Sequence, residues 1–119
     1  MTLEWLPYRL TVAKYEAMPQ TGEGFFSLSA TGSEISLVCE SEKVPQGFTC
    51  REDNWRAFRV AGALDFSLVG VLAAISSALA EGGIALFALS TFDTDYILVK
   101  EKDRLAATAA LKQKGYIVI

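Results

Sequence analysis

Arg56-Ala57-Phe58-Arg59-Val60-Ala61-Gly62, together with Asp65-Phe66-Ser67-Leu68-Val69-Gly70-Val71-Leu72, decides how this chain is read. The first run alternates as a half-buried strand does and stops at a glycine. In the second, Leu68, Val69, Leu72, Ile75, Ser76 and Leu79 recur at spacings of three and four, which predicts one apolar helical face. Asp65 or Ser67 is the expected cap, because either side chain can accept a free backbone N–H. Gly82-Gly83 is the expected stop. Ile84-Ala85-Leu86-Phe87-Ala88-Leu89 is almost wholly apolar, as a central strand covered by helices would be. Ser90 to Asp95 then reads as a polar turn, and Tyr96-Ile97-Leu98-Val99 as the returning strand.

Working outward, a second helix is expected from near Asp103 through the alanine-rich stretch Leu105 to Lys112. Its small side chains would allow close approach to a sheet. Gly115 ends it, and Tyr116-Ile117-Val118-Ile119 is a final strand. The order from Arg56 onward is strand, helix, strand, strand, helix, strand. That order is the ferredoxin-like βαββαβ unit, an α+β fold with helices on one face of an antiparallel sheet. Upstream, Tyr8–Tyr15, Phe25–Ala30 and Ile35–Cys39 read as strands, and Phe48–Arg51 as a short edge strand. The first part holds almost no helix signal, so it looks like the same plan with its helices removed. The expected division is 1–54 and 55–119, with the two parts meeting near residues 51 to 55.

Composition removes several classes of function. The chain has 119 residues, 51% of them hydrophobic and 21% charged, which argues against disorder. Its formal charge is -3, so the basic footprint that nucleic acid requires is missing. There is no histidine, which removes the commonest general base and the commonest metal ligand. Met1–Pro7 has neither a basic start nor a long apolar run, so no secretory signal is expected. The stretch Phe66 to Leu89 carries Ser67, Ser76, Ser77, Glu81 and a glycine pair, which argues against a membrane span. Cys39 and Cys50 lack the spacing of a CxxC motif and read as two free thiols. The expectation is a cytoplasmic protein that needs no cofactor and no metal, and that binds neither nucleic acid nor membrane.

The run Leu89-Ser90-Thr91-Phe92-Asp93-Thr94-Asp95-Tyr96-Ile97-Leu98-Val99 resembles the second hairpin of ACT-like domains. Gly62-Ala63-Leu64-Asp65-Phe66-Ser67-Leu68-Val69-Gly70-Val71-Leu72 is similar to their first strand-to-helix junction. The likeness is to small bacterial tandem-ACT proteins, and more weakly to the regulatory half of aspartate kinases and the cytosolic arginine sensor of animal cells. It covers most of the chain, more firmly from Arg56 to Ile119 than from Tyr8 to Cys50. The resemblance implies a regulatory amino-acid-binding module without a reaction of its own. Carried over position by position, it implies a ligand wall of Ala63, Leu64, Asp65 and Phe66, with Ile84 opening the second strand. Ser90, Thr91, Phe92, Asp93 and Thr94 would form the opposite wall. The first part lacks the long helices of a full ACT unit, which departs from a symmetrical two-site arrangement.

The residue types suit such a ligand. A helix start near Ser67 offers N–H groups to a carboxylate. Asp65 could take the ammonium through a charge-assisted hydrogen bond, Phe66 and Phe92 could exclude water, and Thr91 or Thr94 could add directional bonds. Each residue also has a purely structural reading: Asp65 as a cap, Phe66 and Phe92 as core, Gly70 as a site of close helix–sheet approach. Asp93 and Asp95 read as hairpin residues that set the turn by local hydrogen bonds. Arg56 and Arg59 differ in strand parity and cannot form one clamp. Lys100 to Arg104 mixes signs and reads as a solvated face.

The sum is an α+β chain holding a complete C-terminal ACT-like unit and an abbreviated, β-rich N-terminal one. Sheet edges are usually paired or blocked, so a homodimer is expected. The expected function is sensing of a small ligand, an amino acid, without catalysis. Two rivals stand beside it: a ligand-free protein–protein interaction module, and a small enzyme on a ferredoxin-like scaffold.

Overall fold

Thr2–Trp5 forms a strand, β1, that pairs antiparallel with a long strand β5 (Phe48–Val60) on one side and parallel with the last strand, β8 (Ile117–Val118), on the other. A computed structural model describes residues 1–62 and 69–119. Between β1 and β5 lie β2 (Leu10–Tyr15), β3 (Phe26–Ala30) and β4 (Ile35–Glu40); after β5 come α1 (Val71–Glu81), β6 (Phe87–Ser90), β7 (Asp95–Lys100), α2 (Arg104–Gln113) and then β8. Among the described residues the chain divides into two compact units, Met1–Pro7 with Arg56–Ile119, and Tyr8–Trp55. The division expected after residue 54 leaves Met1–Pro7 with the N-terminal part. The pairing of β1 with β5 and β8 puts those residues in the other unit.

In the unit built from Met1–Pro7 and Arg56–Ile119, the strand order is β6-β7-β5-β1-β8, with α1 and α2 packed on one face. This is the expected α+β, ferredoxin-like arrangement with one strand inserted, which makes the sheet mixed instead of antiparallel. The insertion follows from strand parity. Leu3 lies opposite both Val60 and Val118, and Trp5 opposite Phe58, so the apolar members of three strands share the helix-facing side. Leu3, Phe58, Val60, Ile97 and Val99 meet Ile75, Ala78 and Leu79 of α1 and Ala107 and Leu111 of α2 in one buried core. Trp5 packs edge-on against Phe58 at 5.1 Å and donates its indole N–H to Thr108 Oγ1 at 3.0 Å, which fixes the start of the chain to α2. Arg56 donates to Glu101 (3.1 Å) and to the Leu6 carbonyl (3.1 Å), while Arg59 donates to Glu4 (2.9 Å). The two arginines thus take different partners, as their parity requires. Glu101 being one of those partners, the Lys100–Arg104 run is not simply a solvated face.

Several local expectations change. The strands expected at Phe48–Arg51 and Arg56–Ala61 are one continuous strand, β5. Opposite Thr11 it carries two residues, Asp53 and Asn54, and Asn54 adopts φ 68° to make that bulge. Thr11 donates to Asp53 at 2.6 Å, and Arg51 donates to the same oxygen at 2.7 Å, so the extra residue is held by side chains. The apolar run from Ile84 is not a central strand: β6 begins at Phe87 and, among the described residues, pairs with β7 alone. Its alternation of half-buried and exposed residues fits that outer position. Helix α1 starts at Val71 with Gly70 as its N-cap, so the cap is neither Asp65 nor Ser67. Gly70 has φ 81° and open space where a Cβ would stand, so it serves backbone conformation and not close approach. Val69, expected on the buried face, is outside α1 and 92% exposed; Leu68 lies outside the described residues.

The unit Tyr8–Trp55 is a four-strand sheet in the order β3-β4-β2-β5 with a single turn of 3₁₀ helix at Ser41–Lys43. Its core is Ala13, Tyr15, Leu37 and Cys39, with Phe26, Ile35 and Val44 at the margin. Tyr15 donates to the Pro45 carbonyl at 2.6 Å. Cys39 is buried opposite Thr11, whereas exposed Cys50 lies opposite Lys14, so the free thiols have opposite strand parity and point to different faces.

Two measurements check this packing. Leu3→Ala should lower the unfolding free energy by about 2–5 kcal/mol, the cost of emptying a core site. Urea denaturation reads it, and a change below about 0.5 kcal/mol, typical of a surface site, would detach β1 from the core. Burial pushes the Cys39 thiol up from 9.0 to about 11. The folded chain therefore keeps a proton that the unfolded chain releases earlier. Stability is full below pH 9.0 and falls as the pH rises through about 11. A Cys39→Val variant should show a shallower alkaline decline; an unchanged slope would refute the assignment.

Candidate functional site

The candidate site draws on the end of β5, the start of α1 and the β6–β7 hairpin, all within the unit that holds both helices. The hairpin comes first because its sequence makes it self-supporting. Ser90 donates to Asp95 Oδ1 at 2.6 Å across the last ladder pair. The Thr91 N–H donates to the Thr94 carbonyl at 2.9 Å, the Thr91 hydroxyl donates to that carbonyl at 3.1 Å, and the Thr94 N–H returns to Thr91 Oγ1 at 3.3 Å. This is a tight turn closed by a threonine at each end, a device that Ser and Thr supply through short polar side chains. Asp95 therefore sets the turn, as its sequence position suggests, and Asp93 stays exposed. Among the described residues, no group of three Cys, Asp or Glu stands close enough to hold a metal ion.

Thr94 ties the turn to the rest of the fold. Its side chain is buried and donates to the Val60 carbonyl at 2.9 Å. The hairpin tip is thus anchored on the last residue of β5, two positions before Gly62. Ala63, Leu64, Asp65 and Phe66, the other expected wall, lie outside the described residues. Ile84 is 7% exposed and packs in the core with Leu79 and Ile97, before β6 begins, so it is not presented by a strand end. Ser90, Thr91, Phe92 and Asp93 are exposed, and Phe92 is 79% exposed at the tip instead of filling the core.

The hydrogen-bond directions decide what this wall can do. Each hydroxyl has one hydrogen to donate, and Ser90, Thr91 and Thr94 each spend it on a protein oxygen. What they keep is acceptor capacity. Exposed Ser90 and Thr91 can offer those oxygens to a donor such as an ammonium and add no hydroxyl donor for a carboxylate, whereas Thr94 is buried. Donors come from the helix: α1 opens at Gly70 without a side-chain cap, so N–H groups of its first turn carry partial positive charge. Two contributions were missed from sequence, the Val60 carbonyl as anchor and Gly70 as cap. Glycine is an accepted N-cap, so Gly70 was visible in principle; the pairing of a side chain with a distant carbonyl was not.

The ACT domain model matches residues 51–113, more than half of the chain, and the chain belongs to the ACT domain family. That places it among regulatory small-ligand-binding domains. A crystallised protein of Agobacterium tumefaciens is 30% identical, with 99% of this chain and 91% of that one covered at a TM-score of 0.88. A Vibrio cholerae protein of unknown function is 20% identical over 94% of this chain and 88% of its own, at 0.71. The aspartate kinase of Clostridium acetobutylicum is 15% identical and covers 87% of this chain at 0.66, while this chain covers 32% of the kinase. The last two likenesses are of fold. Among the described residues, no helix is long and apolar enough to cross a membrane.

Thr94→Val keeps the shape and leaves the Val60 carbonyl without its donor. It should cost about 1–3 kcal/mol, the penalty of a buried unsatisfied group, whereas Thr94→Ser should cost less than half of that. Thermal melts of the two variants compare them, and equal losses would show that the methyl group, not the hydroxyl, holds the hairpin.

Proposed function

We propose that this ACT domain is a cytoplasmic amino-acid sensor that binds its ligand between the 63–66 loop, the start of α1 and the 90–94 hairpin, and that acts as a homodimer without catalysing a reaction. The observation that carries the reading is the Thr94–Val60 hydrogen bond, which sets a hairpin with committed hydroxyl protons beside the end of β5, just before the 63–66 segment in the chain. A zwitterion matches this polarity. Its ammonium meets the hairpin oxygens and the Asp65 carboxylate, and its carboxylate meets the uncapped N–H groups of α1. Exposed Val69 and Phe92 then offer apolar surface to the ligand's side chain.

Tyr8–Trp55 is read as an abbreviated ACT-like unit. It supplies a four-strand sheet and no ligand loop of its own, so one site per chain is expected. Signalling follows if the ligand binds one association state better than another, since a ligand shifts an equilibrium only by its differential affinity.

A thermal-shift screen against the twenty amino acids tests this. A ligand at 100 times its dissociation constant should stabilise the fold by about 2.7 kcal/mol. Asp65→Ala should abolish the response while leaving the unliganded melt within about 0.5 kcal/mol, since Gly70 and not Asp65 caps α1. Absence of a shift with every amino acid would leave the ligand-free interaction module as the better reading.

A further inference from the structure

The edge strand β3 lacks three of the devices that commonly protect a sheet edge. It reads Phe26-Ser27-Leu28-Ser29-Ala30, pairs with β4 alone among the described residues, and contains no charge, no proline and no bulge. Edges left in that state recruit another strand, which is why most are blunted by Lys, Pro or a bulge. Leu28 sits on this edge 38% exposed.

The order of residues specifies the recruit. We propose that β3 pairs antiparallel with β3 of a second copy about a two-fold axis through Leu28, perpendicular to the sheet. This deepens the dimer of the proposed function by naming its interface, and it rests on that part of the reading. About Leu28 the strand is self-complementary. Ser27 would face Ser29 of the second copy, so hydroxyls meet hydroxyls, a favourable cross-strand pair. Phe26 would face Ala30, so the largest side chain meets the smallest. Because the axis passes through a residue, both copies keep the same face of the sheet on the same side. That face already carries Leu37, Cys39 and Ile35 opposite Leu28, Phe26 and Ala30, so the second copy continues an existing apolar surface. The other outer strands fit less well. β8 has two residues, the four residues of β6 give at most a three-residue overlap about any one of them, and the first half of β5, outermost in the four-strand sheet, carries Arg51, Glu52 and Asp53.

Charge swapping at Leu28 gives the test, because a residue on the axis faces its own copy. Leu28→Lys and Leu28→Glu should each weaken dimerisation on the order of tenfold or more, since like charges then stand directly opposite. Mixing the two variants should restore a dimer, read by sedimentation velocity, with circular dichroism confirming that each is folded. If either variant misfolds, Leu28→Cys in a Cys50→Ser background replaces the pair and should form an interchain disulfide under mild oxidation. The interface is overturned if both variants stay dimeric, if the mixture stays monomeric, if no disulfide forms, or if Ala88→Lys on β6 alone breaks the dimer. A wild-type chain that sediments as a monomer overturns it too, while leaving the amino-acid response to its own measurement.

Discussion

The fold of the helical unit depends on Leu3. It is fully buried, it lies between Val60 and Val118 in one cross-strand row, and its strand supplies the hydrogen bonds that hold the chain's last residues. Ile117 donates to the Met1 carbonyl at 3.1 Å, Ile119 to the Leu3 carbonyl at 2.9 Å, and Trp5 to the Ile119 carbonyl at 3.0 Å. A strand of two residues such as β8 makes too few bonds to persist alone. The first residues of the chain therefore hold the last ones against the sheet, and Trp5 adds a bond to α2 through Thr108. Closing contacts of such long sequence separation is entropically expensive, so the core residues on β1 must repay that cost by burial.

The same sheet sets the site. β5 is held on one side by β1 and on the other by β7, and the carbonyl at its end receives the Thr94 hydroxyl. The 90–94 hairpin is thus attached to a strand paired on both sides, while Phe92 and Asp93 at the tip remain exposed. This division of labour is the usual one, in which a rigid scaffold positions loops that carry recognition.

The βαββαβ order was legible because each element carries its own periodicity and stop: the three-and-four spacing up to Leu79, Gly82-Gly83 behind it, the alanine-rich α2 before Gly115. β1 was not legible. Its four residues have Leu3 and Trp5 two apart, but what makes them a strand is a pair of partners more than 50 residues away, and strand formation depends on that context. The error at α1 has a different origin. Asp and Ser lead the N-cap preferences, so Asp65 and Ser67 outranked Gly70, whose left-handed backbone does the same work without a side chain. Ile84 shows a third kind of failure. An apolar run does not reveal where turn ends and strand begins, and here its first member fills the core from the turn. Of the candidate site, the hairpin could be read because its Ser and Thr residues act locally. The Thr94–Val60 bond could not, since its acceptor is a backbone atom that any residue would provide.

That contrast bears on ligand choice. The family supplies a scaffold on which many ligands could sit, so selectivity must come from polar groups with a fixed direction. A hydroxyl whose proton is already committed discriminates better than a free one, because it cannot turn to donate without giving up its own bond. Ser90 and Thr91 are exposed hydroxyls of this kind, so neither can donate to an anion at the hairpin without giving up its own bond. A hydrogen bond contributes about 0.5–1.5 kcal/mol net, so giving one up offsets much of what a new bond would gain. Under the proposed reading the exposed hydroxyls meet the ligand's ammonium, an orientation that rests on hydrogen-bond directions and not on net charge.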